Sequence, residues 1–143
     1  MPRVPIEDGF FTIPDDPDQP DAPPMLLGSR CPACGEHFFP RRFVCAQCLH
    51  EGCEDVELGP TGRLWTWTYV HVPLFAKKDK KVDAYGVGQV DLPEGPRIQA
   101  ILVGGPDDFE IGMELQLDLE TLSTDADGND VVIFRFKPVG AAA

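Results

Sequence analysis

Five cysteines, Cys31, Cys34, Cys45, Cys48 and Cys53, all fall between residues 31 and 53 of a 143-residue chain. Four of them form two Cys-x-x-Cys pairs, Cys31-Pro32-Ala33-Cys34 and Cys45-Ala46-Gln47-Cys48. Two residues between cysteines make a tight knuckle that aims both sulfurs at one point, and Gly35 can take the positive φ such a turn needs. Two facing knuckles supply four thiolates in a tetrahedron, the arrangement of a closed structural Zn2+ site. A module this small has little core of its own, so bound metal supplies most of its folding free energy. The spacing predicts a zinc ribbon over residues 25–53, with Cys31, Cys34, Cys45 and Cys48 as ligands and a short hairpin over Glu36–Val44.

Other chemistries use the same residues. A rubredoxin-like iron site takes the same four thiolates, but the second knuckle has Leu49 where a glycine would help amide groups reach sulfur. A thioredoxin-type redox pair lacks the βαβ context it needs. Cys53 and His50 are each able to replace a ligand; Cys53 is read here as a free, small apolar thiol and His50 as a surface imidazole. An odd cysteine count argues against a disulfide framework. The N-terminus has neither the basic patch nor the apolar stretch of a signal peptide, and no apolar run reaches the ~20 residues that span a bilayer. A cytoplasmic location away from membranes is expected.

On either side of the ribbon the pattern changes. Residues 1–24 hold seven prolines, so no helix or central strand can persist there. They read as an extended arm whose apolar anchor is Ile6–Ile13, either a disordered leader or an arm docked on a partner. Residues 54–61 read as an acidic connector. From residue 62 to 138 the sequence is β. Arg63–Val72 places Trp65, Trp67 and Tyr69 on one face, and Tyr85–Leu92 and Arg97–Val103 follow. Met113, Leu115, Leu117 and Leu119 alternate with outward Glu114, Gln116, Asp118 and Glu120. Val132, Phe134 and Phe136 share a face of the last strand, after a turn at Asp125–Asp130. Five strands without an amphipathic helix predict a mostly β chain: a small zinc ribbon followed by a five-stranded OB-fold barrel, then a tail at 139–143. Pro73–Ala84 reads as a large loop at the barrel mouth.

Several motifs have plain readings. Asp125–Asp130 resembles half a calcium loop, but its glycine comes too early and no glutamate closes it, so it is a hairpin turn. Gly86-Val87-Gly88 lacks a third glycine and lies inside a strand. Neither Ser29 nor Ser123 sits in a nucleophile elbow, and His37, His50 and His71 have no adjacent nucleophile. No active site is expected. The net charge is −12, and residues 103–130 carry nine acids and no base, which disfavours broad binding to phosphate backbones. Two basic clusters stand out against that field: Arg41-Arg42 in the ribbon, and Lys77, Lys78, Lys80 and Lys81 in the long loop. They are read either as solvated surface or as contacts for a phosphate-bearing ligand or an acidic partner. Val72–Ala76, with Phe75, is an apolar loop tip suited to a partner's pocket.

Leu27-Gly28-Ser29-Arg30-Cys31-Pro32-Ala33-Cys34-Gly35, Phe39-Pro40-Arg41, Cys45-Ala46-Gln47-Cys48 and Gly62-Arg63-Leu64-Trp65-Thr66 together resemble the acyl-CoA-associated proteins that join a rubredoxin-like zinc ribbon to an OB-fold. Ala84–Leu92 looks like that family's second barrel strand, and Glu110-Ile111-Gly112-Met113 like its entry to the fourth. The resemblance runs from Leu27 to Pro138. It departs at the proline-rich arm, where the family often has a helix, and at the extra Cys53. It implies a non-catalytic accessory subunit of an acyl-CoA thiolase or aldolase complex, bound to a thiolase-like or lipid-transfer-protein-type enzyme that carries the catalytic residues. In that setting Arg41, Arg42 and the loop lysines are candidates for the phosphates of a coenzyme A thioester held at the interface. Phe38, Phe39, Phe43 and Phe75 are candidates for partner contact. Two competing classes are a single-stranded nucleic-acid module stacking bases on Trp65, Trp67 and Tyr69, and a free-standing CoA-binding protein.

Overall fold

Alternating apolar residues bounded by glycine and proline turns build nine strands and leave no α-helix among the described residues. A computed structural model describes residues 2–71 and 84–139. The strands are β1 (Arg3–Pro5), β2 (Leu26–Arg30), β3 (His37–Phe38), β4 (Glu54–Leu58), β5 (Thr61–Val70), β6 (Tyr85–Asp91), β7 (Arg97–Leu102), β8 (Glu114–Thr124) and β9 (Asp130–Pro138). A 3-10 turn, Pro106–Asp108, lies between β7 and β8. Strands β5 to β9 form a barrel in the order β5-β6-β7-β9-β8, with β8 returning to β5, which is the strand order of an OB-fold. Strands β3, β2 and β4 make a separate three-stranded sheet in the ribbon. The expected zinc ribbon and five-stranded barrel are both present.

The last two barrel strands keep the predicted alternation. Leu115 and Leu117 of β8 and Val132 and Phe136 of β9 are buried, with Met113, Leu119 and Phe134 packed against them. The turn between them is held by Asp125, whose carboxylate accepts from Asp127 N at 3.0 Å and Asn129 N at 2.8 Å. Gly86 and Gly88 serve packing. A Cβ on Gly88 would lie 2.8 Å from both Leu64 and Leu102, and one on Gly86 would lie 2.8 Å from Phe109.

Four expectations need correction. Trp65, Trp67 and Tyr69 do not share a face. Leu64 pairs with Val90 and Thr66 with Gln89, so Trp65 is the extra residue of a β-bulge. A bulge inverts the in-out parity. Leu64 points inward before it and Trp67 and Tyr69 pack on the core after it, while Trp65 stays 49% exposed under the Arg97 guanidinium, 3.7 Å from its ring centroid. Residues 54–58 are not a connector but β4, paired with β2 along its whole length from Leu26–Leu58 to Arg30–Glu54. Val56 and Leu58 turn inward between acids that point to solvent. Glu36–Val44 is not a hairpin on itself, because His37–Phe38 pairs with Ser29–Arg30 and Val44 bridges to Glu51.

The arm is the fourth correction. Residues 3–5 add to the barrel as a strand parallel to β9, from Arg3–Asp130 to Pro5–Val132, an edge position that tolerates proline. Phe10 and Thr12 then exchange backbone hydrogen bonds with Leu27 and Met25 of the ribbon, and Phe11 is buried. Phe11, Leu26 and Leu58 belong to the same apolar cluster as the barrel interior, so arm, ribbon and barrel share one core. A chain of rings joins the three: Phe10–Phe39 at 6.0 Å, Phe39–Phe134 at 5.9 Å and Phe134–Phe11 at 5.8 Å between centroids. Phe39→Ala is expected to lower unfolding free energy by about 2 kcal/mol in denaturant titrations, with metal content unchanged.

Candidate metal centre

Each knuckle closes on itself in the same way. In the first, Cys31 N donates to Glu36 O at 2.9 Å and Gly35 N to Cys31 O at 2.8 Å. In the second, Cys45 N donates to His50 O and Leu49 N to Cys45 O, both at 2.9 Å. Gly35 has φ +80° and Leu49 has φ +66°. Leu49 therefore adopts the left-handed turn that glycine was expected to supply, at a local cost of about 1–2 kcal/mol. The absence of glycine at this position thus gives no ground for preferring zinc over iron.

The two turns bring the four expected sulfurs together. All four Sγ atoms lie within 4.8 Å of one another, with Cys31–Cys48 and Cys34–Cys45 each at 3.6 Å. A tetrahedron of thiolates at the usual Zn–S length of ~2.3 Å has edges of about 3.8 Å. The pocket therefore fits a tetrahedral dication, and protein sulfur fills every corner. Cys31 and Cys45 are buried and Cys34 and Cys48 exposed. Cys45 Sγ accepts from Gln47 N at 3.3 Å and Cys48 N at 3.4 Å.

Ionisation of the cluster is uneven. Burial alone would raise the Cys31 thiol, but the N–H groups of Cys34 and Ala33, with Cys48 beside it, bring it from 9.0 down to about 6. Cys45 also moves down: burial opposes the shift, and the amides of Cys48 and Gln47 outweigh it. Cys34 is favoured by the Glu36 N–H, yet burial and the neighbouring sulfurs push it up to about 12. Four thiolates this close repel one another unless a cation sits between them, so metal uptake must expel protons.

Cys53 and His50 stay outside the four-sulfur cluster. Cys53 is half-buried, and burial together with the charges of Cys31 and Cys45 raises its thiol. His50 is exposed and takes part through its carbonyl. Cys48→Ser is expected to take bound metal from one ion per chain to near zero by elemental analysis, and Cys53→Ser to leave it unchanged. Because protons and the cation compete for the same four sulfurs, metal retention should fall as the solution is acidified, which metal analysis after dialysis across a pH series measures.

The other candidates are dispersed. Arg41 pairs with Asp55 at 3.3 Å and lies against Gly9, where a Cβ would sit 2.4 Å from its guanidinium. Arg42 Nε donates to Val44 O at 2.7 Å, and its guanidinium covers the Phe38 ring at 5.1 Å. Both arginines line a hollow of about 290 Å3 with Phe43, Cys53 and Asp55. Phe43 is 66% exposed, Phe38 is half-buried, and Phe39 is packed into the ring chain. Phe75, Lys77, Lys78, Lys80 and Lys81 lie outside the described residues. Sequence reasoning missed a groove of about 550 Å3 beside the arm, walled by Ile6, Phe10, Phe39, Ile101, Ile133 and Phe134. Its one sequence signal is the set of apolar residues Ile6, Phe10, Phe11 and Ile13 inside the proline-rich arm. No helix among the described residues is long and apolar enough to cross a membrane.

Residues 22–52 match the family model of the ChsH2 rubredoxin-like zinc ribbon domain, and residues 55–120 that of the ChsH2 C-terminal OB-fold domain. A DUF35 domain-containing scaffold protein of Methanothermobacter thermautotrophicus is 35% identical over 118 residues, spanning 79% of this chain and 86% of that protein. Benzoylsuccinyl-CoA thiolase subunit BbsA of Thauera aromatica is 32% identical over 128 residues, 86% of each chain. Among solved structures, an Ltp2-ChsH2(DUF35) aldolase superposes with a TM-score of 0.62 at 31% identity, over 80% of this chain and 84% of that one. With ribbon and barrel in the same order and sequence identity sustained across both, the chain belongs to the DUF35 family.

Proposed function

We propose that the protein is a non-catalytic accessory subunit of an acyl-CoA thiolase or aldolase complex in the cytoplasm, stabilising a thiolase-like partner and helping to shape its CoA site. The observation that carries this reading is the closed four-sulfur centre. Catalytic zinc keeps a coordination position open for water or substrate, whereas four protein thiolates leave none. When bound, the metal supplies a cross-link between two knuckles. The relatives named as a scaffold protein, a thiolase subunit and an aldolase component agree with that role.

At the partner interface, the hollow lined by Arg41 and Arg42 offers the Arg42 guanidinium to CoA phosphates, with Arg41 beside it in its ion pair with Asp55 and exposed Phe43 at the rim. A nucleic-acid role is disfavoured by the split aromatic face. Trp67 and Tyr69 are turned to the core, and Trp65 is capped by Arg97, which Asp91 holds in a two-point ion pair. The stacking platform such a module needs is therefore not formed by these three rings.

Co-expression tests the proposal. The chain alone should show no turnover of acyl-CoA, while its presence should raise the soluble yield and specific activity of the thiolase-like partner several-fold. The Cys48→Ser chain should give neither gain. In the complex, Arg42→Gln should raise KM for acyl-CoA several-fold with kcat little changed, as loss of ground-state phosphate binding requires. Equal partner activity with and without the chain would refute the assignment.

A further inference from the structure

The barrel has one loosely joined seam. Parallel β7 and β9 meet at a single position, Leu102 opposite Phe136, followed by a hydrogen bond from Val103 N to Phe136 O at 2.9 Å. Continued back in that register, Ile98 would fall opposite Val132. Val132 already has Pro5 of β1 as its neighbour. The arm has thus taken the place on β9 that the first half of β7 would occupy. Among the described residues, Arg97–Ile101 pair only with β6, and Ile133–Arg135 only with β8. Ala100 and Ile101 on one side, and Ile133 and Phe134 on the other, line the 550 Å3 groove that Ile6 and Phe10 wall off from the arm side.

Two properties of the groove define its occupant. Unpaired N–H and C=O groups on an open strand edge bond to water until something covers them; an incoming backbone replaces those bonds, whereas an acyl chain would displace the water without replacing them. The walls are largely apolar, and the charged residue of the lining is Glu7, in a chain of net charge −12. We propose that an extended segment of the partner subunit, apolar at alternate positions and bearing a Lys or Arg, adds as a strand to the free edge of β7 in this groove. Main-chain bonds give such an addition its affinity. Its alternate side chains pack on Ile101 and Ile133, and its basic residue meets Glu7. Phe39 packs tilted against Phe10 and edge-on to Phe134 in the wall, so the metal-bound ribbon keeps the groove in shape. The inference rests on the accessory-subunit reading and names where on this chain the partner docks.

Hydrogen exchange on the chain alone, and on its complex with the thiolase-like subunit, tests it. In the complex, the outward amides among Arg97–Ile101 should exchange at least tenfold more slowly. Ile101→Arg and Glu7→Lys should each weaken the complex at least tenfold while the free variants keep their metal and near-UV spectrum. Ile111→Arg, exposed and outside the groove, should stay within twofold of the parent. A complex that forms with no slowing at Arg97–Ile101 overturns the inference and leaves the accessory-subunit reading standing; no complex at all removes both. Slowing that grows with concentration of the chain alone assigns the edge to a second copy, and slowing by free acyl-CoA assigns it to a small ligand. Amides already slow in the dilute isolated chain assign it to the chain's own residues. Each of these three results also overturns it.

Discussion

Four sulfurs that repel one another when ionised are the constraint on which the rest of the molecule is arranged. Cys31 and Cys48 are 3.6 Å apart, as are Cys34 and Cys45, and each pair bridges the two knuckles. Without a cation that proximity opposes folding; with one it becomes a cross-link between segments that have little else in common. Around the second knuckle, Val44 bridges to Glu51 and Phe43 O accepts from Gly52 N and Cys53 N, all local bonds within residues 42–53. The ribbon's buried side chains are few: Leu26, Ser29, Leu58 and the two inner cysteines. Ser29 is spent on structure, its Oγ accepting from Arg42 N at 2.8 Å.

What the metal fixes is then passed on to the barrel by packing. Leu26 and Leu58 face each other across β2 and β4 and enter the barrel core. Gly28 between them admits no side chain, since a Cβ would lie 2.4 Å from both Phe38 O and the Leu58 side chain. Glu94 in the β6–β7 turn accepts the Gly59 N–H at 2.9 Å, tying the ribbon's exit to the barrel. Arg41 links β4 to the arm through Asp55 on one side and the Gly9 backbone on the other. A small lobe joined at this many points behaves as part of one body, which suits a protein whose contribution is shape.

The metal centre was legible in the sequence because it is local. Two residues between cysteines determine a knuckle, and no distant residue needs to be known. The alternation of β8 and β9 was legible for a similar reason, since period-two burial is written along each strand. Trp65 was not legible: a bulge shifts parity without a marker residue, and its position depends on how β6 pairs with β5. Strand β4 was hidden because three acids outnumber Val56 and Leu58, although the apolar pair sits at the spacing a strand requires. The seam was least legible of all. Its existence depends on which segment lies beside the start of β9, residues 3–5 rather than 97–98, a choice that no local pattern records.

Charge adds a longer-range constraint on how such a body meets another. Among the described residues Arg3, Arg30, Arg41, Arg97, Arg135 and Lys137 are each paired with a carboxylate of the same chain. On the β8–β9 hairpin Arg135 reaches Asp118 at 2.7 Å and Glu120 at 3.4 Å, with Lys137 also on Asp118. Internal pairing consumes the bases first, because acids are in twofold excess, 24 against 12. The uncompensated acids therefore set the outer field. That field repels phosphate backbones at distances beyond a Debye length only weakly, but on approach it favours a basic protein surface and raises the rate of productive encounter. CoA itself is an anion, so a chain with this surface is poorly suited to collect it from solution. It is better suited to seat beside a protein surface that carries positive charge.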